Sequence, residues 1–189
     1  MTKLIDEKNN GVKSNTPLHI QVKSTSPQDT FNLGAKLGGM LLNGFSSGLE
    51  SSLARGEGQV VLLYGDLGAG KTELVKGIAS GLGIDPAIVS SPTFSIVNEY
   101  KVPCDSDSED NAIQVMYHFD CYRIDENAWF EQGFDEYIMP SAISVLEWSE
   151  NIVAHEDLSQ QDVFSSCIAI KIGGNGDDPR EIDVRVVNG

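Results

Sequence analysis

The sequence predicts an α/β fold on an open central sheet of mixed strand direction, finished by a C-terminal β-hairpin. Three observations carry that expectation. Short apolar runs at 59–64, 113–120 and 142–147 alternate with stretches of helical periodicity. A glycine-rich loop joins the first of these strands directly to a helix. Alternating segments at 166–172 and 182–187 flank a Gly-Gly-Asn-Gly-Asp-Asp turn, the pattern of a closing hairpin.

In chain order, residues 1–16 are polar and without apolar periodicity, and read as a disordered tail before a single domain over 17–189. Leu18 to Val22 alternates apolar and polar residues, as an edge strand does. Asp29 or Thr30 is placed to cap a long amphipathic helix carrying Leu33, Leu37, Met40, Leu41, Phe45 and Leu49. Gln59 to Tyr64 reads as a fully buried parallel strand. The following helix, 71–82, has Leu74, Ile78 and Leu82 on one face and Gly83 as its C-cap. A polar connection, Ser90 to Phe94, leads into a strand over 96–100. The acidic stretch 103–112 reads as a mobile hairpin loop. Strands over 113–120 and 142–147 each end in a carboxylate, Asp120 and Glu147. Between them a short helix is expected from Asn127, past Gly133, to Met139, with Pro140 ending it.

Residues 65–72, Gly-Asp-Leu-Gly-Ala-Gly-Lys-Thr, match the phosphate-binding pattern G-x-x-x-x-G-K-[ST] at every fixed position. Gly65, Gly68 and Gly70 allow positive φ and bring backbone N–H groups against phosphate oxygens. Lys71 supplies a flexible charge for the β- and γ-phosphates, and Thr72 a hydroxyl for a magnesium ion bridging them. A helix N-terminus behind the loop favours the same anion. The candidate nucleotide-binding residues are therefore Asp66, Leu67, Gly68, Ala69, Gly70, Lys71 and Thr72. Strand, loop and helix in register specify the three-layer P-loop NTPase fold.

Composition narrows the remaining classes. The 189 residues are 40% hydrophobic and 22% charged, which suits one globular domain. No apolar run is long enough for a membrane span, and the first residues lack the apolar core of a signal peptide, so a cytoplasmic setting is expected. Three scattered cysteines, Cys104, Cys121 and Cys167, read as unpaired thiols. Residues 1–98 carry eight acidic and eight basic side chains, whereas 99–189 carry 20 acidic and five basic. That second half opposes direct nucleic-acid binding, which needs a basic surface. Any RNA in the function is expected to be held by another protein.

Ligands of open α/β sheets sit at the carboxyl ends of the strands, where Asp120 and Glu147 fall. A nucleotide hydrolase needs one acid on its magnesium ion and another to position water. Spacing does not say which residue takes which part. Thr93, in the polar loop, can offer a hydroxyl to phosphate or metal, or be ordinary turn chemistry. Arg123 suits either phosphoryl charge or a structural ion pair. Trp148 is expected in the core. His118 lies on the sheet face of Asp120, and no second ligand at metal spacing accompanies it.

Taken together, Tyr64 to Thr72, Ser91-Pro-Thr-Phe94, Tyr117-His-Phe-Asp-Cys-Tyr-Arg123 and Leu146-Glu-Trp148 give the chain its family character. It resembles the bacterial TsaE (YjeE) family, the small ATPase of tRNA threonylcarbamoyladenosine synthesis, over roughly residues 26–187. The resemblance implies slow ATP hydrolysis that resets a complex of a threonylcarbamoyl-transferase and its inactive paralogue. That complex modifies the adenosine beside the anticodon, and tRNA meets this chain only through it. By matching motifs, Thr72 and Glu147 hold magnesium and Gly68 to Lys71 cradle phosphate. Asp120 acts near the metal and the attacking water, with Lys71 and Thr93 also catalytic. The segment at Asp29 and Thr30 and the turn at Asp178 flank the adenine. The longer N-terminal tail and the acidic loop depart from the family pattern.

Two other classes share the phosphate loop. A small-molecule kinase needs an arginine-bearing lid, and here Arg55, Arg123, Arg180 and Arg185 are scattered singly. A GTP-operated switch needs an Asn-Lys-x-Asp element, which the sequence lacks.

Overall fold

The computed structural model describes residues 19–42, 59–103, 113–155, 164, 167–174 and 179–187. The expected tail, the helical positions Phe45 and Leu49, the acidic loop beyond Pro103, Cys104 and the turn at Asp178 lie outside the described residues.

Seven strands form one sheet in the order β1-β7-β6-β2-β5-β4-β3. They are β1 (His19–Ser24), β2 (Gln59–Tyr64), β3 (Val97–Lys101), β4 (Val115–Asp120), β5 (Ala142–Glu147), β6 (Cys167–Gly173) and β7 (Arg180–Val187). The middle of the sheet is parallel: β2 pairs with β5 and β6, and β4 with β5. Antiparallel pairs β1/β7, β6/β7 and β3/β4 extend both sides, which makes the sheet mixed as the sequence predicts. The parallel strands β2 and β5 are buried on both faces, so they are mostly apolar, with Ser144 and the strand-end Glu147 as buried polar exceptions on β5.

Helices α1 (Pro27–Leu42) and α2 (Lys71–Gly81) cover one face, packing Leu41, Leu74 and Ile78 on Val61, Val145 and Ile170. Helix α3 (Glu126–Glu131) and neighbouring 3-10 turns cover the other, where Trp129, Phe119, Phe134 and Phe164 stack. Each fully buried side chain of this size contributes about 1.5–3 kcal/mol relative to exposure. Cys121 and Cys167 are buried free thiols, as expected, and burial pushes both thiol pKa values up.

Two local expectations are corrected. Helix α1 begins earlier than Asp29: Pro27 takes its first turn, and Ser26 caps it through an Oγ that accepts from Asp29 N–H at 3.1 Å. Asp29 instead reaches back to accept from Thr25 N–H at 2.9 Å. The single helix expected over 127–139 is two pieces. Gly133 adopts φ 72°, ending α3 and starting a separate 3-10 turn at Phe134–Tyr137.

The α1/α2 contact is backbone against backbone. A Cβ at Gly34 or Gly38 would overlap the Leu74 or Ile78 carbonyl oxygen, and one at Gly77 or Gly81 those of Phe31 or Ala35. Two glycines one turn apart on each helix thus bring the phosphate-loop helix to its closest approach on α1.

Candidate functional site

Parallel register sets the site. Glu147 is the register partner of both Leu63 on β2 and Asp120 on β4, so the strand-end carboxylates lie side by side at the edge where β2 gives way to the loop. Between them and the loop opens a cavity of about 420 Å3, lined by Leu67 to Glu73, Ser91, Thr93, Asp120, Tyr122, Glu147 and Trp148. The expected residues Leu67, Gly68, Ala69, Gly70, Lys71, Thr72, Thr93, Asp120 and Glu147 are all brought together there.

The loop itself is held open by glycine. Gly68 and Gly70 have φ 78° and 105°, a region that costs other residues strain. Lys71 is 5% exposed and folds back, donating from Nζ to the Gly65 carbonyl at 2.5 Å and the Asp66 carbonyl at 3.1 Å. Asp66 therefore contributes through its backbone. Burial lowers the Lys71 ammonium pKa, against the opposing pull of Glu147, Glu150, Asp120 and Asp66.

Thr72 Oγ1 donates to both Glu147 oxygens, at 2.9 and 3.1 Å. This donor set fits magnesium, which takes one or two carboxylates and completes its shell with phosphate oxygens and water. Among the described residues no group of three or more His, Cys, Asp or Glu side chains forms a self-sufficient metal site. A metal here would be shared with a phosphate ligand, held by Thr72 and Glu147.

Asp120 serves the neighbouring loop. Its Oδ2 accepts from Ser91 Oγ at 2.8 Å and Thr93 Oγ1 at 2.9 Å, and its Oδ1 from Tyr122 N–H at 3.1 Å. Its own N–H donates to the Ile96 carbonyl at 2.9 Å. Ile96 is β-branched yet has φ 67°, and Trp148, directly after Glu147, has φ 60°. Such backbone costs roughly 1–3 kcal/mol per residue and is stored at functional sites. One such residue lies beside each strand-end acid, Ile96 bonded to the Asp120 backbone and Trp148 next in sequence to Glu147.

Several residues differ from expectation. Trp148, expected in the core, is only half-buried, and its ring centroid lies 3.5 Å from Lys71 Nζ, with Tyr122 packed beside it. Arg123 does not line the cavity; its guanidinium stands 5.5 Å over the ring of Phe94, which is 91% exposed. Thr30 is buried, shares a 2.7 Å hydrogen bond with Ser24 and sits beside Gly70 instead of lining the cavity.

Sequence reasoning gave no part in the site to three residues that the structure places there. His118 is fully buried with Nε2 2.8 Å from Glu147 Oε1; its two-residue offset from Asp120 already placed it on the right face. Ser91 joins Thr93 on Asp120. Arg180 donates from Nε to the Ala69 carbonyl at 2.9 Å, across 111 residues of chain, and nothing in its sequence surroundings marks it.

Comparison with known proteins identifies the family. A family model described as threonylcarbamoyl adenosine biosynthesis protein TsaE matches residues 24–182. The tRNA threonylcarbamoyladenosine biosynthesis protein TsaE of Bacillus subtilis (strain 168) is 39% identical over 130 residues, 69% of this chain and 71% of its own. That of Treponema pallidum (strain Nichols) is 32% identical over 162 residues, 85% of this chain and 96% of its own. The crystal structure of Bacillus subtilis YdiB superposes with a TM-score of 0.58 at 26% identity, covering 93% of this chain and 90% of that one. The matched span takes in the phosphate loop, both strand-end carboxylates and Arg180, and on this ground the chain belongs to the TsaE family.

Proposed function

We propose that this chain is a magnesium-dependent ATPase that serves tRNA threonylcarbamoyladenosine formation as an accessory subunit. The family match supports the pathway. What carries the ATPase reading is one cavity that joins a complete phosphate loop, the Thr72–Glu147 pair and the Asp120-bound Ser91–Thr93 loop. Bound ATP would lay its phosphates along Gly68 to Lys71. Lys71 would leave its carbonyl partners for phosphate oxygens, which restores charge stabilisation that burial removes. The magnesium held by Thr72 and Glu147 would neutralise phosphate charge. Asp120 would orient water and couple its position to the Ser91–Thr93 loop.

Hydrolysis would reset a complex of a threonylcarbamoyl-transferase and its inactive paralogue, with tRNA held by that complex in the cytoplasm. The acidic excess after residue 98 supports contact through protein rather than RNA. No helix of the described residues is long and apolar enough to cross a membrane.

ATP turnover measured alone, then with the transferase pair and tRNA, tests this reading. Strong stimulation by the complex is expected, and Lys71→Ala should remove triphosphate binding. Near-normal turnover in that variant would refute the proposal. The kinase alternative gains nothing from the site, because no arginine among the described residues lines the cavity.

A further inference from the structure

Arg180, the first residue of β7, forks onto the back of the phosphate loop. Its Nε donates to the Ala69 carbonyl at 2.9 Å and its Nη2 reaches the Gly68 carbonyl at 3.3 Å. The same edge of the sheet meets the loop at two more points. A Cβ on Gly65 would overlap the Ile172 carbonyl oxygen on β6. Ser24, the register partner of Arg180 on β1, holds Thr30, whose Cγ2 lies 3.8 Å from where a Gly70 Cβ would stand.

Peptide geometry gives these contacts a consequence. In a trans peptide the carbonyl and the following N–H point in opposite directions. With the Ala69 carbonyl turned to Arg180, which does not line the cavity, the Gly70 N–H is turned to the other side, where Gly70 does. Glycine at φ 105° has little intrinsic preference between this peptide orientation and its flipped form. The flipped form would present a carbonyl oxygen to a phosphate, and the two would repel. Something outside the loop must select the orientation.

We propose that Arg180 is a positioning residue for the phosphate-binding loop: by holding the Gly68 and Ala69 carbonyls on the sheet side, it keeps the Gly70 N–H aimed at the phosphate chain. The inference rests on the nucleotide-binding reading above. It assigns the C-terminal hairpin a part in phosphate affinity, in addition to closing the sheet.

The test compares wild type, Arg180→Lys and Arg180→Gln. Fluorescent ADP and ATP analogues are titrated with and without magnesium, and circular dichroism and thermal unfolding monitor the fold. Both folded variants are expected to bind each nucleotide roughly tenfold more weakly, the scale of one lost charge-assisted hydrogen bond. Arg180→Lys keeps the charge but cannot reproduce the planar fork. Wild-type affinity in Arg180→Lys would show that charge alone suffices and overturn the proposal. Wild-type affinity in Arg180→Gln, or a lowered unfolding temperature with unchanged affinity, would also overturn it by showing a merely structural role. If Arg180→Gln does not fold, Arg180→Lys decides alone. Wild type failing to bind either nucleotide would instead remove the nucleotide reading itself.

Discussion

His118 and Glu147 share a buried hydrogen bond, with His118 Nε2 2.8 Å from Glu147 Oε1, while Thr72 donates to the same carboxylate from the other side. The carboxylate is therefore oriented by two elements, β4 and α2. Partners behind a metal ligand commonly carry 10–100-fold of metal affinity or activity, so His118→Leu is expected to weaken magnesium-dependent nucleotide binding by about tenfold or more. Magnesium titration of nucleotide binding reads the effect directly. Metal-free ADP binding in the same variant should stay near wild type.

The two strand-end acids are expected to separate by readout. Glu147→Ala removes the partner of Thr72 and should chiefly weaken magnesium-ATP binding. Asp120→Asn leaves that pair intact but disturbs the bonds to Ser91 and Thr93. It should lower turnover by about tenfold or more while binding shifts only about two- to threefold. Binding isotherms beside steady-state turnover check this split. Equal effects in both variants would leave the division of metal and water roles without support.

A pH dependence is expected at the sheet edge. Burial acts to raise the Asp183 carboxyl pKa. Hydrogen bonds from His19 and Gln21, with the charges of His19 and Arg185, outweigh it and hold the pKa below the ordinary value. The unfolded chain thus binds the proton more readily. This contribution is complete above the unfolded pKa, about 3.9, and is lost as pH falls through the lower folded value. Asp183→Asn should cost roughly 0.5–1 kcal/mol at pH 7. In urea titrations its deficit against wild type should shrink as the medium becomes strongly acidic.

The helix contact makes the sharpest stability prediction. A methyl group at Gly38 meets the Ile78 carbonyl, which belongs to backbone and cannot rotate aside. Gly38→Ala is expected to destabilise the fold by about 2–4 kcal/mol, despite alanine's better helix propensity. Gly39→Ala, one position along, where the nearest atom is 4.0 Å away, should be neutral or stabilising. Denaturant unfolding of the two variants side by side tests the contrast.

Much of the architecture was legible because local signals and tertiary demands coincided. Buried strands such as β2 and β5 must be largely apolar, and a phosphate loop must carry glycine and lysine at fixed spacing, so both announce themselves. Asp120 and Glu147 were found because a strand that ends in a carboxylate interrupts an apolar run. What the sequence concealed depends on contacts between distant segments. Arg180 gains its meaning only when β7 folds beside β6 and faces the loop. Trp148 carries an ordinary apolar label, yet its left-handed backbone directs the ring over Lys71. The glycine pairs Gly34/Gly38 and Gly77/Gly81 were visible as a pattern, but without a partner helix a small residue looks like a weak helix former.

At those glycines no side chain cushions α1 against α2. Side chains can adjust rotamers to absorb a small displacement, whereas touching backbones cannot. A push delivered at Lys71 would carry α1 along with α2 as one rigid lever. The segment from Ser91 to Ile96 is held differently, by hydroxyls on Asp120 and an isoleucine of positive φ, and is the better placed of the two to move. On the proposed reading, the back of the pocket would be an anvil, and its front the part that would tell a partner which nucleotide is bound.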